Sequence, residues 1–258
     1  MDTEPPSTTD DDLEPSQPPP TGRLRRLLPL AAGGLTAGLV ALVVAAGWTP
    51  DFYRARLPAG GPLDGRDPAA AAAAAEPAAR RLVTRAASLR AALEQVGPWE
   101  GVFSEGEINA FLALDVPRNH ALVLPGWCRE PRVELLPGRL RAAVLVGYGP
   151  LAAPLWIDAD VTLQGPNQLR LAVTRARLGL VPLPARAVLG EFARRLGRLG
   201  AVAEIRRGGD RPVLVVYIPS THAPGGLSHW LQAIRLAAGE LAVAGETRRG
   251  PVRPAAGR

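Results

Sequence analysis

The sequence predicts an α+β fold: an antiparallel curved sheet packed by two or three helices, preceded by one transmembrane helix and a disordered N-terminal tail. Three observations carry this. After Pro131 the apolar residues change from helical spacing to strict alternation. Helical spacing itself holds across 77–95 and 185–199. Leu27 to Trp48 is a run of 22 residues without a charge, which at ~1.5 Å rise per residue spans a hydrocarbon core of roughly 30 Å.

Residues 1–22 hold Asp2, Glu4, Asp10, Asp11, Asp12 and Glu14, no basic residue and almost nothing apolar to bury, so they read as a disordered acidic, Pro-rich tail. Residues 23–50 form the expected anchor. Arg23, Arg25 and Arg26 crowd its N-terminal edge, while Asp51, Arg54 and Arg56 nearly offset one another beyond it. The positive-inside rule then puts the N-terminus in the cytoplasm and the main domain outside, with Trp48, Phe52 and Tyr53 as an interfacial aromatic belt. Val44-Ala45-Ala46 would also serve as a signal-peptide cleavage site. The apolar run exceeds a signal core of about 7–15 residues and the leader is acidic, which favours a retained anchor.

Residues 51–76 read as an Ala/Gly/Pro linker containing seven successive alanines, in which Asp67 and Pro68 suit the start of a short helix. The extracytoplasmic domain is expected over 77–247, and 248–258 as a second disordered tail. In the first domain helix Leu82, Ala86, Leu89 and Leu93 share a face until Gly97-Pro98 stops the run. The stretch FSEGEINAFLAL follows. Ser104 and Glu107 have the S-x-x-E spacing of a capping box, with Ile108, Phe111 and Leu112 along one face behind it.

Beyond Pro131, two alternating runs flank Pro137-Gly138. In the next, LWIDADVTLQ, Leu155, Ile157, Ala159, Val161 and Leu163 point inward, and Trp156, Asp158, Asp160 and Thr162 outward. A Gly165-Pro166-Asn167 turn leads into LRLAVTRARL, completing an antiparallel meander with one buried face. GLVPLP at Gly179 to Pro184 breaks the sheet and starts a helix with Val188, Leu189, Phe192, Leu196 and Leu199 on one side. A strand pair around Gly208-Gly209-Asp210 comes next. The stretch WLQAIRLAAGELAVAGE reads as a helix or as two short strands around Gly239, and the glycine with the alternation favours the hairpin.

All 30 basic residues are arginine and the net charge is +6. They recur singly along strands and helices without interleaved aromatics, which argues for solvated faces and against a nucleic-acid surface. An anionic surface such as lipid headgroups is the other partner such charges suit. The single cysteine, Cys128, excludes an intramolecular disulfide.

Ser104, Glu105, Glu107, Asn109 and Phe111 resemble the S-E-x-E-[IL]-N-a-[FL]-L helix opening of YpmS-like proteins, small bacterial envelope proteins with an N-terminal transmembrane helix. Gly179 to Pro184, entering a helix after strands, is similar to the same family's layout. The resemblance implies an extracytoplasmic α+β domain comparable to lipid-binding modules in which helices cover a curved sheet. It implies no catalytic residues.

Candidate chemistry is sparse. Glu105 and Glu107 are two apart on a helix and point to different faces, so capping explains them better than acid/base catalysis. Asn109 shares a face with Glu105 and suits a bond to a neighbouring strand or a pocket mouth. Asp158 and Asp160 share a strand face but lack the further oxygen ligands a cation needs. His120, His222 and His229 lack zinc spacing, and neither G-x-S-x-G nor a P-loop occurs. Cys128 with His120 has no accompanying nucleophile signature.

The expectation is therefore a non-enzymatic envelope protein without metal or cofactor, single-pass in the cell membrane. Its domain would bind lipid or another apolar ligand between walls formed by Phe111, Leu112, Val181, Leu183, Val188 and Phe192, with Asn109 at the mouth. The alternatives are that the same aliphatic residues fill a solid core, and that the domain is a scaffold docking protein partners in an envelope complex.

Overall fold

The computed structural model describes residues 41–57, 68–119, 126–149, 152–198, 201–208, 211–223 and 226–250. The chain divides into two units, Met1–Leu42 and Val43–Arg258. The expected tail over 1–22, the anchor over 23–40 and the last residues, 251–258, lie outside the described residues. Among the described residues no helix is long and apolar enough to cross a membrane. The fold that follows is that of the second unit.

Its described helices are α1 (43–47 within this unit), α2 (Asp51–Arg54), α3 (Pro68–Leu93), α4 (Glu105–Asn119) and α5 (Ala185–Arg198). Among the described residues, eleven strands form two antiparallel sheets. β2 (Cys128–Leu136), β3 (Arg139–Val146), β4 (Ala153–Gly165), β5 (Gln168–Leu178), β8 (Arg211–Tyr217) and β7 (Val202–Gly208) lie side by side in that order, and β6 (Val181–Pro182) pairs with β5. The smaller sheet runs β1 (Gly97–Ser104), β11 (Glu240–Arg249), β10 (Leu227–Ala237), β9 (Thr221–Ala223). The α+β class, the meander, the strand pair and the hairpin around Gly239 all follow the alternation read above. Gly239, with φ +75°, supplies the left-handed turn residue between β10 and β11.

One face of the larger sheet carries the core. α5 lays Leu189 against Ala159, Val173, Ala176 and Leu214, with Leu183, Val188, Leu196 and Ile205 packed around them. Further along the same face, Leu135, Val161 and Leu236 bring β2, β4 and β10 together beneath Ile108 of α4. The two sheets are stitched at their turns. Gly138 N–H donates to the Leu236 carbonyl, and Gly239 N–H to that of Leu135. Asn167, at the turn after β4, donates to the His229 carbonyl and accepts from the Leu231 N–H.

Several expectations change. The domain's first helix begins at Pro68, so the alanine run belongs to it and Pro77 lies inside it. Gly97-Pro98 does stop that helix, but Gly97–Ser104 continues as a strand paired along β11. The other face of the larger sheet is covered, where solvent was expected. Trp156 and Asp158 are buried beneath residues 52–57 and the arginines of β3. Phe52 and Tyr53 consequently are not an interfacial belt: Tyr53 is 1% exposed, and Phe52 meets the Trp156 ring edge-on at 6.0 Å.

Candidate functional site

The opening of α4 is a structural junction. Ser104 and Glu107 close the capping box, the Ser104 N–H donating to the Glu107 carboxylate at 3.2 Å and the Glu107 N–H to Ser104 Oγ at 3.3 Å. Burial would push the Glu107 carboxyl up. The Ser104 hydrogen bonds and the guanidinium groups of Arg85 and Arg81 outweigh it and hold the group below its ordinary value. Glu105 points elsewhere, accepting from the Leu135 N–H at 2.7 Å and pairing with Arg56. One turn on, Asn109 donates to the Val133 carbonyl and accepts from its N–H.

β2 is an edge strand. Alternate backbone groups on its open side are therefore taken by Asn109, Glu105 and the Gly239 N–H, which replaces the missing neighbour and blunts the edge.

On the covered face an ion-pair chain crosses three strands. Arg56 bridges Glu105 and Glu134, Arg141 bridges Glu134 and Asp158, and Arg139 reaches both Asp158 and Asp160. Asp158 and Asp160 are thus occupied by guanidinium groups. Among the described residues no group of three or more His, Cys, Asp or Glu side chains is placed to hold a metal ion. Arg132, 2% exposed, donates to the backbone carbonyls of Arg56 and Pro131 and so ties residues 50–57 to β2. Tyr53 donates its hydroxyl to the Glu130 carbonyl at 2.9 Å, and burial pushes the phenol pKa up. Glu130 has φ 53° at a β-bulge, which turns that carbonyl out of the ladder.

The same segment is fixed at the GLVPLP turn. Leu180 N–H donates to the Ala45 carbonyl at 2.8 Å, and Trp156 Nε1 to the Gly179 carbonyl. A Cβ on Gly179, whose φ is +57°, would run into the carbonyl oxygens of Ala45 and Ala46. The glycine is required by both its conformation and this close approach.

The expected ligand walls fall in two places. Leu183 and Val188 pack into the α5 core, Val181 pairs with Leu178, and Phe192 is 45% exposed. Phe111 and Leu112 lie on α4, which packs on β2 at the opposite edge of the larger sheet from β7. Asn109 faces β2, where its amide is taken up by the Val133 backbone. Phe111 instead lines an open groove of about 530 Å³ between α3, α4 and β1, with Leu82, Val83, Ala86 and Phe103. Asn119 donates to Asp115 at its polar border. A second groove of about 350 Å³ shares Val83, Asp115 and Asn119 with it and extends toward Ala79 and Glu76, so the two form one trough along α3 and α4.

The sequence reading missed the contribution of α3 and β1 to this trough. Leu82 and Ala86 share a face by their spacing, and that spacing gives no sign that part of the face stays open. Cys128 lies on β2, half-buried, and burial pushes its thiol pKa up. His120, its expected neighbour, lies outside the described residues. Comparison with family models, with curated proteins and with solved structures finds no match.

Proposed function

We propose that the chain is a non-enzymatic, single-pass membrane-anchored envelope protein whose extracytoplasmic domain holds an apolar ligand, a lipid chain, in the trough between α3 and α4. The observation that carries this is the groove itself. Its volume of about 530 Å³ and its lining by Leu82, Ala86, Phe103 and Phe111 suit a ligand-sized apolar group. The anchor reading draws on the uncharged run 27–48, the arginines before it and the YpmS-like helix opening. The ionisable side chains at the α4 opening and on the covered sheet face are engaged in caps and ion pairs, which supports a binding role over catalysis.

A scaffold is the second reading, favoured by the filled core under α5, which leaves surface docking as its mode of action. Native mass spectrometry of the full chain in mild detergent, followed by solvent extraction, tests the first. Lipid adducts reduced in Phe111→Arg but kept in Phe192→Ala support the trough. Equal adducts in all three proteins place the lipid on the anchor and overturn the groove reading.

A further inference from the structure

Successive strands of the larger sheet run in opposite directions, so one end collects the start of β2, the end of β3, the start of β4, the end of β5, the start of β8 and the end of β7. Both ends expose apolar side chains, Val202 (59%) and Ile218 (38%) at the other, but the exposed aromatic rings of this sheet gather here. Trp127 stands 41% exposed just before β2, Tyr148 68% just after β3, and Leu180 43% just after β5. The other end turns at Pro137-Gly138 and Pro166-Asn167.

Leu180 is also the residue whose N–H holds the Ala45 carbonyl, so residues 45–48, the last of the apolar stretch, meet the sheet at this same end. Trp48, 40% exposed, hydrogen-bonds to the Ala45 carbonyl through its own backbone N–H. Arg207 and Arg211, both exposed, stand at the β7–β8 side of this end and exposed Arg129 at the β2–β3 side, where its guanidinium donates to the Gly147 carbonyl.

An end that exposes aromatic rings and arginines is costly in water but suits a headgroup layer, where a ring has an apolar depth to enter and a guanidinium meets phosphate. We infer that this end of the sheet lies against the surface of an anionic bilayer, the membrane that the run 27–48 enters, with Trp48, Trp127, Tyr148 and Leu180 at headgroup depth. The inference rests on the anchor reading proposed above. It adds that the domain is seated on the lipid: residues 45–57, bonded to the β5–β6 turn and packed on β2, β3 and β4, leave no free tether between the run and the sheet.

The test uses the full chain in vesicles of phosphatidylcholine and phosphatidylglycerol. Two Cys128→Ser proteins carry a nitroxide, one at Tyr148→Cys and one at Gln164→Cys, an exposed position at the far end of β4. Seating predicts a ratio of oxygen to nickel-chelate accessibility several-fold higher at 148 than at 164. An alkaline carbonate wash of the same vesicles reads the anchor separately. If the chain resists the wash while both positions give one ratio, the anchor stands and the seating is overturned. If the chain washes off but position 148 favoured oxygen beforehand, the seating stands without a span. If it washes off with equal ratios, both fall.

Discussion

The side-chain amide of Asn109 holds both backbone groups of Val133, donating to its carbonyl and accepting from its N–H, each at 2.8 Å. A helix thereby does for an edge strand what another strand would do. Asn109→Ala leaves both groups without a partner, and a loss of about 1–3 kcal/mol is expected. Asn109→Asp retains the acceptor but sets a carboxylate against the Val133 carbonyl. Urea unfolding should rank wild type above both variants.

Glu107 makes stability depend on pH. Its carboxyl is held below the ordinary value of 4.5 in the folded chain, so its contribution is fully present above 4.5 and is lost as pH falls through the folded value. Glu107→Gln is expected to cost about 1.5 kcal/mol at pH 7, where two hydrogen bonds lose their charge assistance. The gap between variant and wild type should close as denaturation is followed from pH 5 downward.

Residues 50–57 are part of the domain. A chain beginning at Pro77 strips Phe52 and Tyr53 from the sheet, uncovers Trp156, and starts inside α3. Compared with a chain beginning at Pro50, it should be less stable by roughly 3 kcal/mol, from two aromatic side chains at about 1.5 each. Thermal unfolding of the two proteins measures this.

Gly179→Ala combines a left-handed φ with a collision against the Ala45 and Ala46 carbonyls. The conformational cost alone is about 1–2 kcal/mol. Because the collision is with residues 45 and 46, proteolysis around residues 45–57 should rise well before the sheet unfolds.

Much of this was legible in the sequence because it was local. The capping box and the alternation of β2 to β5 depend on neighbours a few residues apart. The bond from Asn109 does not, since Val133 lies 24 residues on, and the sequence leaves Asn109 open between a strand contact and a pocket mouth. β1 was hidden because Gly97, Pro98 and Gly101 interrupt its pattern and its partner β11 lies far along the chain. The docked segment was hidden for another reason. Phe52 and Tyr53 beside an apolar run look interfacial, and Asp158 looks solvated, until Arg139 and Arg141 cover it. The α5 stripe fits a core more readily than a ligand wall, and only packing could separate the two.

The account depends most on one relationship, that between residues 50–57 and the covered face of the larger sheet. Amide hydrogen exchange on the full chain reads it directly. The account predicts that the amides of Tyr53 and Leu57, bonded to the carbonyls of Pro50 and Tyr53, exchange about as slowly as those of β4. Exchange of these amides at the rate of an unstructured peptide, with β4 still protected, would contradict it.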